Sequence, residues 1–194
     1  MRIPSLLPVT CVLATSLAAQ TATLRGKVED VPSTPNLFIL DGTNLPLVST
    51  VLNLNTLVGQ QAIMQVENVG TPAAPVLRVD SSVPTTKVMD MGNLRLGQTS
   101  TFEVNAPAGS AAFIFLDFQS NTGFLPAGSL GTWLLGLSPY LLAGGITNGQ
   151  NQFQTQFFTP PDPQLLGLRI TSQAFVGDHG NWFFSNPDDK TVEQ

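Results

Sequence analysis

The stretch Ala22-Thr23-Leu24-Arg25-Gly26-Lys27-Val28-Glu29-Asp30-Val31 sets Leu24, Gly26 and Val28 against Arg25, Lys27 and Glu29, and it stops before Pro32. Successive side chains of a strand point to opposite faces, so this alternation predicts a strand with one buried face. Proline cannot donate to a strand ladder, which fits an end at Pro32. Further strands follow downstream. Leu37-Phe38-Ile39-Leu40 runs into the turn dipeptide Asp41-Gly42, and Leu45 to Val51 comes next. Asn53-Leu54-Asn55-Thr56-Leu57-Val58-Gly59 has the form of a capped single turn closed by glycine. Gln60 to Val69 alternates again through Ala62, Met64 and Val66, and Val76-Leu77-Arg78-Val79 follows Pro72 and Pro75. The first half therefore predicts five strands.

Composition agrees with an all-β chain. Of 194 residues, 42% are hydrophobic and only 11% charged, against about 25% charged in ordinary soluble domains. The chain is too apolar for disorder and too poor in Lys and Glu to cover exposed helix faces. Its 17 glycines and 15 prolines suit short strands and turns.

The N-terminal residues predict a signal peptide over 1–18. Met1-Arg2 is a minimal positive region, Leu6 to Leu17 is apolar, and Ser16-Leu17-Ala18 offers small residues for cleavage after Ala18, with Ala19 as the alternative. The apolar run is too short for a membrane span, which needs about 20 residues. Cys11, the one cysteine, falls inside this leader without a lipoprotein motif before it, so the mature chain is expected to be disulfide-free. Removing Arg2 with the leader takes the net charge from −5 to −6. That balance argues against nucleic acid and anionic membranes as partners. The longest later apolar run, Leu130 to Leu142, is broken by Ser138-Pro139, so no membrane insertion is expected after cleavage.

Aromatic content changes near Val83-Pro84. Phe38 is alone between Thr21 and Ser82, whereas Trp133, Tyr140, Trp182 and the other phenylalanines come later. Two cores of different material predict domains over 19–82 and 83–194, with Ser81 to Thr86 as a short junction. In the second half, strands are expected at Lys87 to Leu94, Ser100 to Val104, Ala111 to Phe118, Trp133 to Leu137, Gln152 to Phe158, Leu166 to Phe175 and Asn181 to Ser185. The nearly continuous apolar run Ala111 to Phe118 suits a central strand buried on both faces. Turns are expected at Pro107-Ala108-Gly109-Ser110, Asn121-Thr122-Gly123 and Pro126-Ala127-Gly128.

The pattern Leu24-x-Gly26-x-Val28, Phe38-Ile39-Leu40-Asp41, Leu54 to Gly59-Gln60 and Val76-Leu77-x-Val79 resembles small exported OB-fold domains. In those domains five strands form a Greek-key barrel with a short helix between the third and fourth. Gly97 to Phe102, Ala106-Pro107-Ala108-Gly109-Ser110, Phe113 to Leu116, Pro160 to Gly167, Thr171-Ser172-Gln173-Ala174 and Ser185-Asn186 resemble a β-sandwich domain that recurs in large secreted bacterial proteins of unknown function. Together these likenesses imply an OB-like five-stranded barrel followed by an antiparallel β-sandwich in an exported bacterial protein. They bring no chemistry with them.

Candidate sites are few. His179 is the one histidine and sits in Gly177-Asp178-His179-Gly180-Asn181, a glycine-flanked loop; such loops often carry function. A solvated turn histidine explains it more simply than a general base or a metal ligand, and zinc would need further His or Cys ligands. Ala127-Gly128-Ser129-Leu130-Gly131 loosely mimics a nucleophile elbow, with Asp162 and His179 following in hydrolase order. An elbow requires a strand before its serine and a helix after it, whereas Pro126 precedes this motif. Asp162, Asp178, Asp188 and Asp189 lack a calcium-loop spacing, and Asp188-Asp189-Lys190 reads as a solvated tail. Single-stranded nucleic acid would need a basic, aromatic groove. The first domain instead sets Arg25, Lys27 and Arg78 against Glu29, Asp30, Asp41, Glu67 and Asp80. Phe153, Phe157, Phe158, Trp182, Phe183 and Phe184 are the rings available to a core or to a partner, and adjacent rings must point to opposite strand faces.

The expectation is a non-enzymatic, exported envelope or extracellular module, periplasmic, cell-surface or secreted, with no cofactor and a protein or glycan partner. The alternative is a glycan- or cation-binding module using Asp178, His179 and Trp182.

Overall fold

The computed structural model describes residues 21–118 and 123–194. The expected signal peptide, its cleavage point and Cys11 lie outside the described residues, as do Asn121 and Thr122 of one expected turn. The fold is all-β, a closed barrel followed by packed antiparallel sheets.

Five strands make the barrel: β1 (Thr21–Asp30), β2 (Phe38–Leu40), β3 (Pro46–Val48), β4 (Gln61–Asn68) and β5 (Leu77–Pro84), closed in the order β1-β2-β3-β5-β4. β3 and β5 pair in parallel, Leu47 opposite Leu77, while the other neighbours are antiparallel. The alternation in β1 turns Leu24 and Val28 inward, where they meet Leu40, Leu47, Met64, Leu77 and Val79. Between β3 and β4, Leu54–Leu57 forms the expected single turn as a 3-10 helix, with the Asn53 side chain accepting from the Asn55 amide at 3.1 Å.

The second region pairs two sheets. One runs in the order β11 (Tyr140–Ile146), β8 (Ala111–Asp117), β13 (Arg169–Asp178), β14 (Asn181–Thr191); the other runs β12 (Gln152–Phe158), β7 (Thr99–Asn105), β6 (Met89–Met91). Ala112, Ile114, Leu116, Ala174 and Val176 of the first share a core with Met89, Met91, Phe102 and Val104 of the second. Along one side, buried side chains of β14 join the sheets. Asn186 Oδ1 accepts from the Val88 and Met89 amides at 2.8 and 3.0 Å, and Asp188 Oδ2 accepts from the Met91 amide at 2.7 Å.

A small ribbon of β9 (Leu125–Pro126) and β10 (Thr132–Trp133) ties the two regions together. Leu134 and Phe124 complete the barrel core, and Thr132 Oγ1 donates to the Thr23 carbonyl of β1 at 2.8 Å. Gln173, wholly buried, holds the ribbon on the sheet. Its Nε2 donates to the carbonyls of Thr132 (2.9 Å) and Ser185 (3.0 Å), and its Oε1 accepts from the Leu134 amide (2.9 Å).

Several local expectations change. Ser81 to Pro84, read as the start of a junction, is the end of β5, where Ile63 pairs with Val83 and Ala62 with Pro84. β11 occupies a run with no strand-like alternation, because Gly144 and Gly145 interrupt its apolar residues. The final strand continues through Pro187 to Thr191 rather than stopping at Ser185, so Asp188 is not part of a solvated tail. It is buried because Lys87 Nζ (2.9 Å), Lys190 Nζ (3.0 Å) and the Met91 amide together replace its water. β8 is central in its sheet, yet only its inner face is fully buried; Phe113 and Phe115 lie half-buried on the outer one.

Candidate functional site

The hairpin joining β13 to β14 has the sequence Asp178-His179-Gly180-Asn181, with Asp178 paired to Asn181. His179 and Gly180 both take positive φ, 46° and 88°, the geometry of the two-residue turn that matches strand twist. Glycine accepts it freely; histidine accepts it at a cost. The His179 side chain is 79% exposed at the tip, and its Nδ1 lies 2.5 Å from Asp178 Oδ1. Ser110 Oγ donates to the same carboxylate oxygen at 3.3 Å, anchoring the base of the hairpin to the start of β8.

Trp182 lies across the hairpin from Gly177. A β-carbon on Gly177 would stand 2.7 Å from the indole ring, so the glycine leaves the space the ring occupies. The indole stacks on Phe175 at 4.9 Å and lies near Phe113 at 6.4 Å, both at shallow interplanar angles. Phe175 meets Phe184 at 4.8 Å, Phe184 meets Trp133 edge-on at 5.3 Å, and Trp133 meets Phe115 at 5.3 Å. The outer face of the four-stranded sheet thus carries a connected row of six rings. Near the hairpin the row includes Trp182, which is 39% exposed.

Beside Trp182 is a cleft of about 320 Å³ between β1, the 3-10 turn Gly128–Leu130 and the start of β14. Arg25, Ser129, Leu130, Asn181, Trp182 and Phe183 line it. The Arg25 guanidinium lies 4.4 Å from the centre of the Phe183 ring, a cation–π contact. Burial lowers its pKa from the ordinary value, though a guanidinium stays charged at neutral pH. Lys27, Arg78, Lys87, Arg169 and Lys190 each meet a carboxylate, whereas Arg25 and Arg95 have no ion-pair partner among the described residues.

Of the expected site residues, Asp178 and His179 touch each other, and Trp182 makes its ring contacts along the sheet face instead. The adjacent-ring expectation resolves as strand geometry requires. Phe184 joins the outer row while Phe183 packs toward the sandwich core, and Phe157 packs on Phe102 while Phe158 is exposed. Phe153 also packs against the sandwich core. Ser129 sits on a 3-10 turn preceded by the two-residue β9, with no helix after it as an elbow requires. Asp162 caps another short turn by accepting from the Gln164 amide at 2.9 Å. Among the described residues, no three His, Cys, Asp or Glu side chains converge as a metal set, and no helix is long and apolar enough to cross a membrane. Arg25 escaped the sequence reading because its role depends on β1 meeting β14, residues remote in the chain. In the sequence it is one of the charged residues on the polar face of an alternating strand.

No known family model matches the chain, and no curated protein matches it significantly.

Proposed function

We propose that the protein is an exported, non-enzymatic interaction module of the cell envelope or exterior, and that it binds glycan at the Asp178–Trp182 hairpin. The row of rings that includes the exposed Trp182 is the observation that carries this reading. Sugar rings present flat C–H faces that lose water against an indole, while Asn181 and Ser129 alongside offer hydrogen-bonding groups for hydroxyls. A cation ligand fits the same place poorly, since Arg25 would repel it and Asp178 is already engaged by His179 and Ser110.

Glycan-array binding by the purified chain, followed by titration of tryptophan fluorescence, tests the reading. At least one glycan is expected to bind, and Trp182→Ala should abolish binding while the melting temperature stays within a few degrees. A silent array would overturn glycan binding. Export is tested separately by expressing the whole chain in bacteria, where N-terminal sequencing of the exported product should begin at Ala19; retention of an intact Met1 terminus in the cytoplasm would remove export from the reading.

A second reading, a protein-interaction or structural role, draws on β11. This edge strand exposes Tyr140 (61%), Leu141 (49%) and Ile146 (62%), and an exposed apolar edge can accept a partner strand.

A further inference from the structure

Resting on the glycan reading, we infer that the cleft between barrel and sandwich selects sugars bearing a carboxylate, of the uronic-acid kind, with Arg25 as the specificity-determining residue. Three observations converge. Arg25 carries five N–H donors in a planar fork, and no hydrogen bond or ion pair from its guanidinium occurs among the described residues, although burial has removed part of its water. The Phe183 ring lies 4.4 Å from the guanidinium carbon and covers one side of it, which restricts the side chain before a carboxylate docks in two-pronged fashion. Trp182 lines the same cleft and is a partly exposed member of the aromatic row, placing an apolar platform next to the cation.

A pyranose with a carboxylate at its ring edge matches that pairing: its C–H face covers the indole while the carboxylate meets Arg25. A long polyanion gains little from such a site. The protein is acidic overall, at −5, and one local cation supports one carboxylate while the surrounding field opposes a dense run of them. The cleft volume suits one or two sugar units rather than a long chain.

Calorimetric titration of the whole chain with a uronic-acid trisaccharide and with the neutral trisaccharide of the same linkages tests the assignment. The acidic sugar should bind at least tenfold more tightly at low salt, with the gap narrowing at high salt as screening takes hold. Arg25→Gln should erase the gap by weakening the acidic sugar far more than the neutral one. Arg25→Lys, which keeps the charge and loses the fork, should retain part of it and serves as the folded control if the Gln variant melts early. Equal affinities for the two sugars, or a gap that survives in Arg25→Gln, overturns the carboxylate assignment and leaves the glycan module standing. Binding of neither sugar overturns the carboxylate assignment, and together with a silent glycan array it overturns the glycan module as well. A peptide with a free C-terminal carboxylate that binds as tightly as the acidic sugar overturns the sugar specificity.

Discussion

The barrel and the sandwich differ in what their outward-facing residues do. On the barrel, alternation sends Leu24, Met64 and Leu77 inside and leaves Arg25, Lys27, Gln65, Glu67 and Arg78 outside, where several pair, as Lys27 does with Glu29 at 2.8 Å. A closed barrel has one interior, so each strand needs one apolar face. The four-stranded sheet buries Ala112, Ile114 and Val176 against its partner sheet and still carries Phe113, Phe115, Phe175, Trp182 and Phe184 on the opposite side. The ribbon of β9 and β10 covers one end of that second face through Trp133, and the other end runs out to Trp182 and the cleft. Surplus apolar surface of this kind marks where a molecule meets another.

The sandwich closure offers the strongest test. Replacing Asn186 with Leu would strand the buried Val88 and Met89 amides and the Met89 carbonyl. Unpaired buried groups cost ~1–3 kcal/mol each, so a loss of roughly 4 kcal/mol is expected, read as a lower urea midpoint with unchanged slope. A loss under about 1 kcal/mol would mean that the side-chain bridge does not hold the sheets.

The barrel's dependence on the sandwich comes next. Leu134 is nearly wholly buried in the barrel core although it lies beyond the barrel's own strands. Leu134→Ala should cost about 3 kcal/mol by lost burial and cavity and should raise hydrogen exchange in β1 and β4. If exchange rises only in the sandwich, the two regions are independent in stability and the plug is incidental.

A smaller, pH-dependent effect is expected at Lys87. Burial alone would lower its pKa, but hydrogen bonds and charge from Asp90 and Asp188 outweigh this and raise it. Burial likewise works to raise the Asp90 pKa, and Lys87 overrides it so that the carboxyl is held lower than usual. A raised lysine pKa supplies stability that is present below ~10.4 and fades as pH climbs through the folded value; a lowered aspartate pKa supplies stability that is present above ~3.9 and fades as pH falls through its folded value. Urea midpoints should therefore form a plateau between these limits, and Lys87→Met should flatten both shoulders. Shoulders unchanged in that variant would assign them to other groups.

The least effect belongs to the hairpin tip. His179→Gly removes a side chain that is almost fully solvated and relaxes a positive φ, so stability should shift by no more than ~1 kcal/mol, in the stabilising direction. A large loss would show that the contact with Asp178 holds the hairpin, and a loss of glycan binding would move the ligand toward the tip.

Local chemistry was legible wherever a short stretch bears its own physical reason. The alternation from Leu24 to Val28, the Asn53 cap and the turn at Pro107 to Ser110 each form as their residues require. Trp182 and the hairpin stood out through glycine spacing. β11 did not, because neither of its faces is fully buried and Gly144 and Gly145 interrupt its apolar residues. Asp188 looked solvated because Lys87 and the Met91 amide reach it from remote parts of the chain, and Arg25 was not singled out because β14 lies at the far end of the chain.

The sequence by itself determined the all-β class, the period-two faces, the turns and the scarcity of titratable groups, since these follow from residue-level sterics and polarity. Only the tertiary structure decided that Leu134 belongs to the barrel, that six rings form one row, and that a guanidinium with no ion-pair partner among the described residues opens onto a cleft beside an indole. Those are relations between remote residues, and burial, desolvation and charge pairing have no value until packing brings their partners within contact distance.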